Sequence, residues 1–317
     1  MSVLDRARAL FERGAAAQAA TEVKAAADAD DAEALNLLAS WRLFGTVVPR
    51  DLDAAHAGLD RAAALGHVEA ARTRAFLIAN GTGCAADFDA ARAMMERIAD
   101  ADRYAALQLA FLLRMKTPEA VAAAAREILS ESPSIVLIRS LLLPEECRYL
   151  MSMAAPHLQP SLVIDTTTGE RIPNPIRTSF GMSFGPTLED LVVNTINRRI
   201  ADATGTGVGW GEPLHMLRYR PGEEYRPHVD ALPGERNQRV WTALVYLNHD
   251  YQGGETAFPE LGFKVRGGTG DVLVFGNVLE DGRGDMRTLH AGLAVTAGEK
   301  WLATRWIRQR DYHPWLT

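Results

Sequence analysis

The chain has 317 residues, enough for two domains with a core each, and its formal net charge of -6 lacks the concentrated positive field of a nucleic-acid-binding surface. Its two cysteines are too few for a disulfide framework or a cysteine-rich zinc site, so both are expected to be small buried side chains in a reducing compartment. The opening "MSVLDRARALFERGAAAQ" has no uninterrupted apolar stretch and no segment approaches membrane-spanning length, so the expectation is a cytoplasmic protein that engages neither membrane nor nucleic acid.

The first third is alanine-rich and repeats itself. Ala32–His67 aligns without gaps on Val68–Arg103, matching Glu33 with Glu69, Gly45 with Gly81, Asp51 with Asp87, and Ala54, Ala55 with Ala90, Ala91. Each unit reads as helix, glycine-containing turn, helix, with alanines where two helices approach closely. The glycine turn, the aspartate before the second helix and the "AA..G" ending resemble Sel1-like repeats, relatives of the tetratricopeptide repeat; this implies an α-solenoid over residues 1–115. "LDRARALFERGAAAQAATEVKAAADA" reads as a divergent first unit, and "YAALQLAFLLR" as a unit that stops short. Residues 116–132, a short helix followed by "SESP", read as a connector bounded by Pro133.

From Ser134 the apolar period becomes two, in "SIVLI", "SLVID", "RTSFGMSF", "LHMLRY", "RVWTALVYL", "GDVLVF", "HAGLAV" and "KWLATRWI". Two helices, "PEECRYLMSMAAP" and "LEDLVVNTINRRIADAT", interrupt them, the first with proline and paired glutamates suited to a first helical turn. The chain is therefore α+β, with a barrel or sandwich braced by helices over residues 133–317.

Within that half, "EEYRPHVDALPG" sets His228 and Asp230 two residues apart, a pair that means little alone in a chain with eight histidines. Downstream, "RTLHAGLAVTAGEKWLATRWI" supplies His290 at the start of one strand and Lys300 at the start of the next. Two imidazoles and one carboxylate can occupy one face of an octahedron and leave three positions open. That suits non-haem Fe(II) and oxygen chemistry, whereas a structural zinc site wants four closed ligands.

Six runs then occur in order: "RTSFG", "LRYRPGEEYRPHVD", "RVWTALVYLN", "GGETAFP", "GDVLVF" and "LHAGLAVTAGEKWLATRWI". Through them the region from about Pro133 to Tyr312 resembles the Fe(II)/2-oxoglutarate dioxygenases of the prolyl 4-hydroxylase type. The resemblance implies a double-stranded β-helix, or jelly-roll, and the cofactors Fe(II), 2-oxoglutarate and molecular oxygen, with ascorbate allowed as a further one. It makes His228, Asp230 and His290 the iron ligands and Lys300 the partner of the distal 2-oxoglutarate carboxylate. A buried carboxylate needs such a charged donor to offset its desolvation, and in "KWLATRWI" Lys300 and Trp306 share the face of Leu302 and Thr304. Tyr219, Thr256 and Trp306 are implied around the same cosubstrate, with core packing as the competing reading of each; Arg177 and Tyr225 are implied near the substrate mouth, where a surface ion pair competes for Arg177. His215 reads as a strand side chain and His249-Asp250 as a solvated turn.

The chain departs from the family after "VLVF", where Gly276 replaces a usual tryptophan and would widen the mouth, and after "HAG", where Leu293-Ala294 replaces Cys-Pro. "DALPGERNQR" and "GNVLEDGRGDMR" are expected as mobile loops over the opening. The leading expectation is hydroxylation of a prolyl residue in a peptide or protein. Hydroxylation of a free amino acid or other small molecule is the alternative, and a repeat-based adaptor with an inert barrel is the rival of another class. Repeats hold the peptide in collagen-type prolyl hydroxylases, which gives residues 1–115 a substrate-holding role to set against a purely structural one; a homo-oligomer is left open.

Overall fold

The computed structural model describes residues 2–164, 171–174 and 176–312. Contacts divide the chain into two units, Met1–Arg114 with Pro186–Asn194, and Met115–Gly185 with Thr195–Thr317.

The first unit is helical: α1 (Val3–Glu12), α2 (Ala16–Asp28), α3 (Ala32–Phe44), α4 (Leu52–Ala64), α5 (Val68–Asn80), α6 (Phe88–Ile98) and α7 (Arg103–Leu112), each packed on the next. The internal repeat reappears as matched caps. Asp51 and Asp87 accept from the backbone N–H groups of Ala54 and Ala90, satisfying donors that an α-helix leaves open at its start. Gly45 and Gly81 end α3 and α5 in the left-handed region, at φ 64° and 73°. A Cβ on Gly58 would stand 3.3 Å from that of Ala39, so α3 and α4 approach where both side chains are minimal.

The second unit opens with α8 (Pro118–Ala122), β1 (Arg126–Ser130), β2 (Ile135–Ile138) and α9 (Pro144–Ala154). It continues with β3 (Gln159–Pro160), β4 (Leu162–Ile164), β5 (Arg171–Pro173), β6 (Phe180–Ser183) and α10 (Leu191–Thr204), whose first turn belongs to the helical unit. Then come β7 (His215–Tyr219), β8 (Tyr225–His228), β9 (Arg239–Tyr246), β10 (Gln252–Gly253), β11 (Thr256–Phe258), β12 (Phe263–Val265), β13 (Val272–Gly276), β14 (His290–Gly292), β15 (Val295–Ala297) and β16 (Lys300–Arg308).

An eight-stranded antiparallel sheet runs β1-β2-β13-β9-β16-β7-β6-β3, and a four-stranded one runs β12-β11-β14-β8. Alternate residues of the larger sheet, among them Leu217, Tyr219, Leu244, Tyr246, Leu273 and Phe275, form one buried cluster with Phe258 and Val265 of the smaller. The eight period-two runs all carry strand, with "HAGLAV" broken into β14 and β15; Asp165, the end of "SLVID", lies outside the described residues. The expected connector needs correction. Its helix is only five residues long, and "REILS" is β1, the edge strand paired with β2, so the sheet starts before Pro133. Cross-strand pairing overrides the helical preference of the alanine run that precedes it.

Cys147 is buried and its thiol is pushed up to about 12, chiefly by burial, while Cys84 is half-buried. No helix among the described residues is long and apolar enough to cross a membrane. The helices α9 and α10 are joined by a buried ion pair, Arg199 Nη1 to Glu146 Oε2 at 2.6 Å, and Glu146 also accepts the backbone N–H groups of Lys116 and Leu143. Replacing Arg199 by Leu leaves Glu146 buried without its counter-charge. A loss of about 3–5 kcal/mol is expected in urea unfolding, because breaking one side of a buried pair costs far more than the pair contributes.

Candidate metal and cosubstrate site

The pairing of β14 with β8 sets His290 directly across from His228. Asp230 follows two residues after His228, on the same side of the chain. The three donate atoms within 4.8 Å of one another, and they form the group among the described residues that could hold a metal ion. Each imidazole faces a backbone carbonyl through Nδ1: His228 that of Arg226 at 2.8 Å, His290 that of Thr288 at 3.0 Å. A carbonyl only accepts, so Nδ1 carries a proton in both rings and Nε2 is the nitrogen turned toward Asp230. Those Nε2 atoms lie 3.8 and 3.7 Å from the Asp230 carboxylate.

Burial works to raise the Asp230 carboxyl, but the two imidazoles and the Thr242 hydroxyl pull it below its usual value, so it is a carboxylate. Burial, and then the neighbouring His290, push His228 down to about 4, so its ring is neutral at neutral pH. Thr242 Oγ1 donates to Asp230 Oδ2 at 2.6 Å and accepts from Asn277 Nδ2 at 2.8 Å, with Asn277 and Thr242 both buried. The amide proton occupies the hydroxyl's lone pair, so the hydroxyl proton is directed at the carboxylate. Oδ1 is left available toward His228.

A cavity of about 30 Å³ joins this group to Lys300, Tyr219, Tyr225, Thr256 and Trp306. Lys300 is 2 % exposed, lies 5.5 and 5.9 Å from the ring centres of Tyr219 and Tyr246, and donates to the Gly254 carbonyl at 2.7 Å. Burial brings its ammonium down to about 8, and no carboxylate among the described residues is paired with it. Thr256 Oγ1 accepts from the Tyr246 hydroxyl at 2.9 Å, and burial raises Tyr219, which stays a phenol donor. Arg177 bridges to Tyr225, its guanidinium 5.5 Å from that ring, and Tyr225 stacks on His228 with centroids 3.5 Å apart.

All nine expected site residues are thus gathered around one small cavity and its rim. Four further groups carried no usable sequence signal. Thr242 and Asn277 were hidden in a strand and a loop, and Tyr246 in a run of core residues. Arg239 holds Glu212 with two bonds of 2.6 and 2.8 Å and lies 4.0 Å from the Trp306 ring centre. His215, expected as a plain strand residue, is stacked 5.8 Å from Trp306 and held near 3 by burial with Arg177 and Arg239, while His249 is exposed as expected. Gly276 corrects its expectation: Phe275 points toward His290, so the next residue faces away from the cavity, and the space beside Gly276 is occupied by Trp241. It does not widen the mouth. Both expected loops close on themselves through side chains, Gln238 bracketing Leu232 and Asp285 gripping Arg287.

The residues fit Fe(II) and 2-oxoglutarate. Two imidazoles held through Nδ1 and one carboxylate make a nitrogen-and-oxygen donor set without thiolate, and the buried ammonium of Lys300 has no carboxylate bonded to it among the described residues. The cavity has room for about two waters. A five-carbon dicarboxylate is larger than this space, so binding it would require lining side chains to move.

Known proteins resemble this chain in sequence. Residues 214–308 match the 2OG-Fe(II) oxygenase superfamily. Prolyl 4-hydroxylase 1 of Arabidopsis thaliana is 37% identical over 203 residues, 58% of this chain and 72% of the relative, and the probable prolyl 4-hydroxylase 10 of the same plant is 36% identical over 210 residues, 59% and 72% of the two chains. The viral collagen prolyl hydroxylase of Paramecium Bursaria Chlorella virus-1, solved as a 2OG complex, is 28% identical with a TM-score of 0.45, covering 55% of this chain and 95% of its own. The chain belongs to the prolyl 4-hydroxylase family of 2OG-Fe(II) oxygenases. It is a dioxygenase that uses Fe(II), 2-oxoglutarate and molecular oxygen.

Thr242→Val keeps the side-chain shape and removes the bond to Asp230. Loss of a group that orients a ligand typically lowers metal affinity by about 10–100-fold. The same loss is expected here in a Mn(II) titration of the metal-free protein, with the far-ultraviolet circular dichroism unchanged.

Proposed function

We propose that the chain hydroxylates prolyl residues of a peptide or protein, with His228, Asp230 and His290 as the iron ligands. The observation that carries this reading is the cross-strand pair His290–His228 with Asp230 beside it, in a chain 37% identical to a prolyl 4-hydroxylase. Bound Fe(II) supplies the oxidising chemistry, in which one oxygen atom enters a C–H bond and the other enters succinate as 2-oxoglutarate loses carbon dioxide.

The protein's own residues do the rest. The Arg226 and Thr288 carbonyls hold the two imidazoles with Nε2 inward, and Thr242 with Asn277 aims Asp230. Lys300 gives up the Gly254 carbonyl for the distal carboxylate of the cosubstrate, with Tyr219 and Thr256 as hydroxyl partners. Leu217, Leu244, Leu302 and Trp306 keep the cavity walls largely apolar, which strengthens each polar contact inside. Arg177 and Tyr225 stand at the rim, where a polypeptide substrate arrives. The finer fold is a jelly-roll that begins at β1 and an α-solenoid over residues 1–115, a reading supported by the two facing antiparallel sheets and by the matched caps of successive helix pairs.

Mass spectrometry tests the substrate: a gain of one oxygen on proline-containing peptides, matched to succinate formed, is expected, and oxidation of free amino acids alone would overturn the reading. His290→Ala is expected to abolish succinate formation; near-normal turnover with iron present would remove it from the ligand set.

Lys300→Ala leaves the distal carboxylate without its counter-charge, a cost of about 3–5 kcal/mol, or a hundredfold or more in 2-oxoglutarate affinity. The wild-type pH dependence follows from the same group. Its ammonium is fully charged below about pH 8 in the free protein, and a bound carboxylate raises that value. Affinity is therefore complete below pH 8 and falls as pH rises above it, until the raised value is passed. A 2-oxoglutarate titration across that range checks the slope.

A further inference from the structure

The oxygenase half has a second cavity, apart from the one that holds the candidate ligands. A groove of about 630 Å³ lies between the turn Glu131–Ser134, the strand residues Trp241 and Gly276, and the loop from Val278 to Arg287. Strand alternation places it on the other face of the larger sheet. Thr242 reaches Asp230 and Phe275 packs on His290, so Trp241 and Gly276, each one residue away and paired across β9 and β13, point to the opposite side. A Cβ on Gly276 would stand 3.4 Å from the Trp241 ring, in van der Waals contact, so the indole lies beside a position without a side chain.

The chemistry of the groove selects a cation. Trp241 is half-buried, and no charged or aromatic side chain among the described residues stacks on it, whereas Trp306 carries Arg239 at 4.0 Å and Trp301 carries Arg218 at 5.8 Å. Four acidic side chains line the space, Glu131, Glu280, Asp281 and Asp285, against one basic side chain, Arg287. Asp285 is neutralised by Arg287 at 2.6 Å and Asp281 by Arg283 at 2.7 Å. Glu131 and Glu280 are exposed and make no ion pair among the described residues. An indole face bordered by two unneutralised carboxylates attracts a guanidinium or ammonium and repels an anion.

The groove shares one loop with the site, although the two spaces have no lining residue in common. Its wall belongs to the loop that begins at Asn277, which donates to Thr242, and ends at Thr288, whose carbonyl fixes His290. Asp285 closes that loop through its backbone bond to the Asn277 carbonyl.

We propose that this tryptophan-floored, acidic groove docks a lysine or arginine side chain of the polypeptide substrate, away from the residue that is hydroxylated. The proposal rests on the polypeptide reading above, and its test separates the two. A fluorescent proline-containing peptide with several lysines is titrated into the full chain without iron or 2-oxoglutarate, beside the same peptide with glutamine for every lysine. The lysine peptide is expected to bind at least tenfold more tightly, with an advantage that shrinks as salt is raised. Glu131→Gln/Glu280→Gln is expected to remove that advantage, and so is Gly276→Leu, which fills the space beside the indole. With the holoenzyme, the double variant is expected to raise KM for the lysine peptide about tenfold, leaving kcat and the KM of the glutamine peptide unchanged. Equal binding of the two peptides, or undiminished preference in both variants, overturns the groove. If the holoenzyme oxidises neither peptide, the prolyl reading fails while the binding titration still decides the groove.

Discussion

Everything in the oxygenase half depends on the register of β8 against β14. His290 and His228 are cross-strand partners, and side-chain period is two in a strand, so a slip of one residue in either strand turns its imidazole away from the other. The pairing does more than bring two rings within 4.2 Å. It leaves the carbonyls of Arg226 and Thr288 beneath the respective Nδ1 atoms, so the same strand ends that place the rings also choose their tautomer. Position and the proton on Nδ1 share one cause.

Around that pair the electrostatics divide into two zones. Near Asp230 the negative charge is matched by hydrogen-bond donors from Thr242 and, behind it, Asn277. At the far end of the cavity a buried ammonium rests on one carbonyl and two aromatic rings. Burial alone lowers its pKa to about 8, which measures how poorly the free protein solvates it. A ligand carboxylate relieves the ammonium end, and this gives a physical reason for a cosubstrate with a distal carboxylate beside the donor geometry.

The segment from Asn277 to Thr288 links those features to the rest of the sheet. One end orients the carboxylate of Asp230 through Thr242, the other orients His290, and Asp285 ties the two ends together. Its Gly- and charge-rich sequence suggests a loose loop, yet its side chains close most of their bonds within it, Asp285 on Arg287 and Asp281 on Arg283 among them. Such a segment connects its outer wall by hydrogen bonds to groups that hold two of the three proposed ligands.

The sequence by itself determined a good deal. The alanine repeat with its spaced Asp and Gly marked the helix caps, because a cap is a local interaction set by residues three or four apart. Period-two runs marked the main strands, and the ordered motifs marked His228, Asp230, His290 and Lys300, since those residue types are chemically scarce choices for their positions. Tertiary structure alone decided the rest. Arg126–Ser130 is a strand because β2 lies beside it, although the preceding alanines favour helix. Tyr225–His228 is a strand whose polar sequence shows no alternation, since it lies in the smaller sheet with an imidazole and not an aliphatic residue facing inward. Thr242 and Asn277 act together across more than thirty residues of chain, a distance at which no local pattern survives, and only the pairing of β9 with β13 brings them within a hydrogen bond. The same pairing turned Gly276 away from the cavity, because which face a residue takes is a property of the sheet and not of the residue.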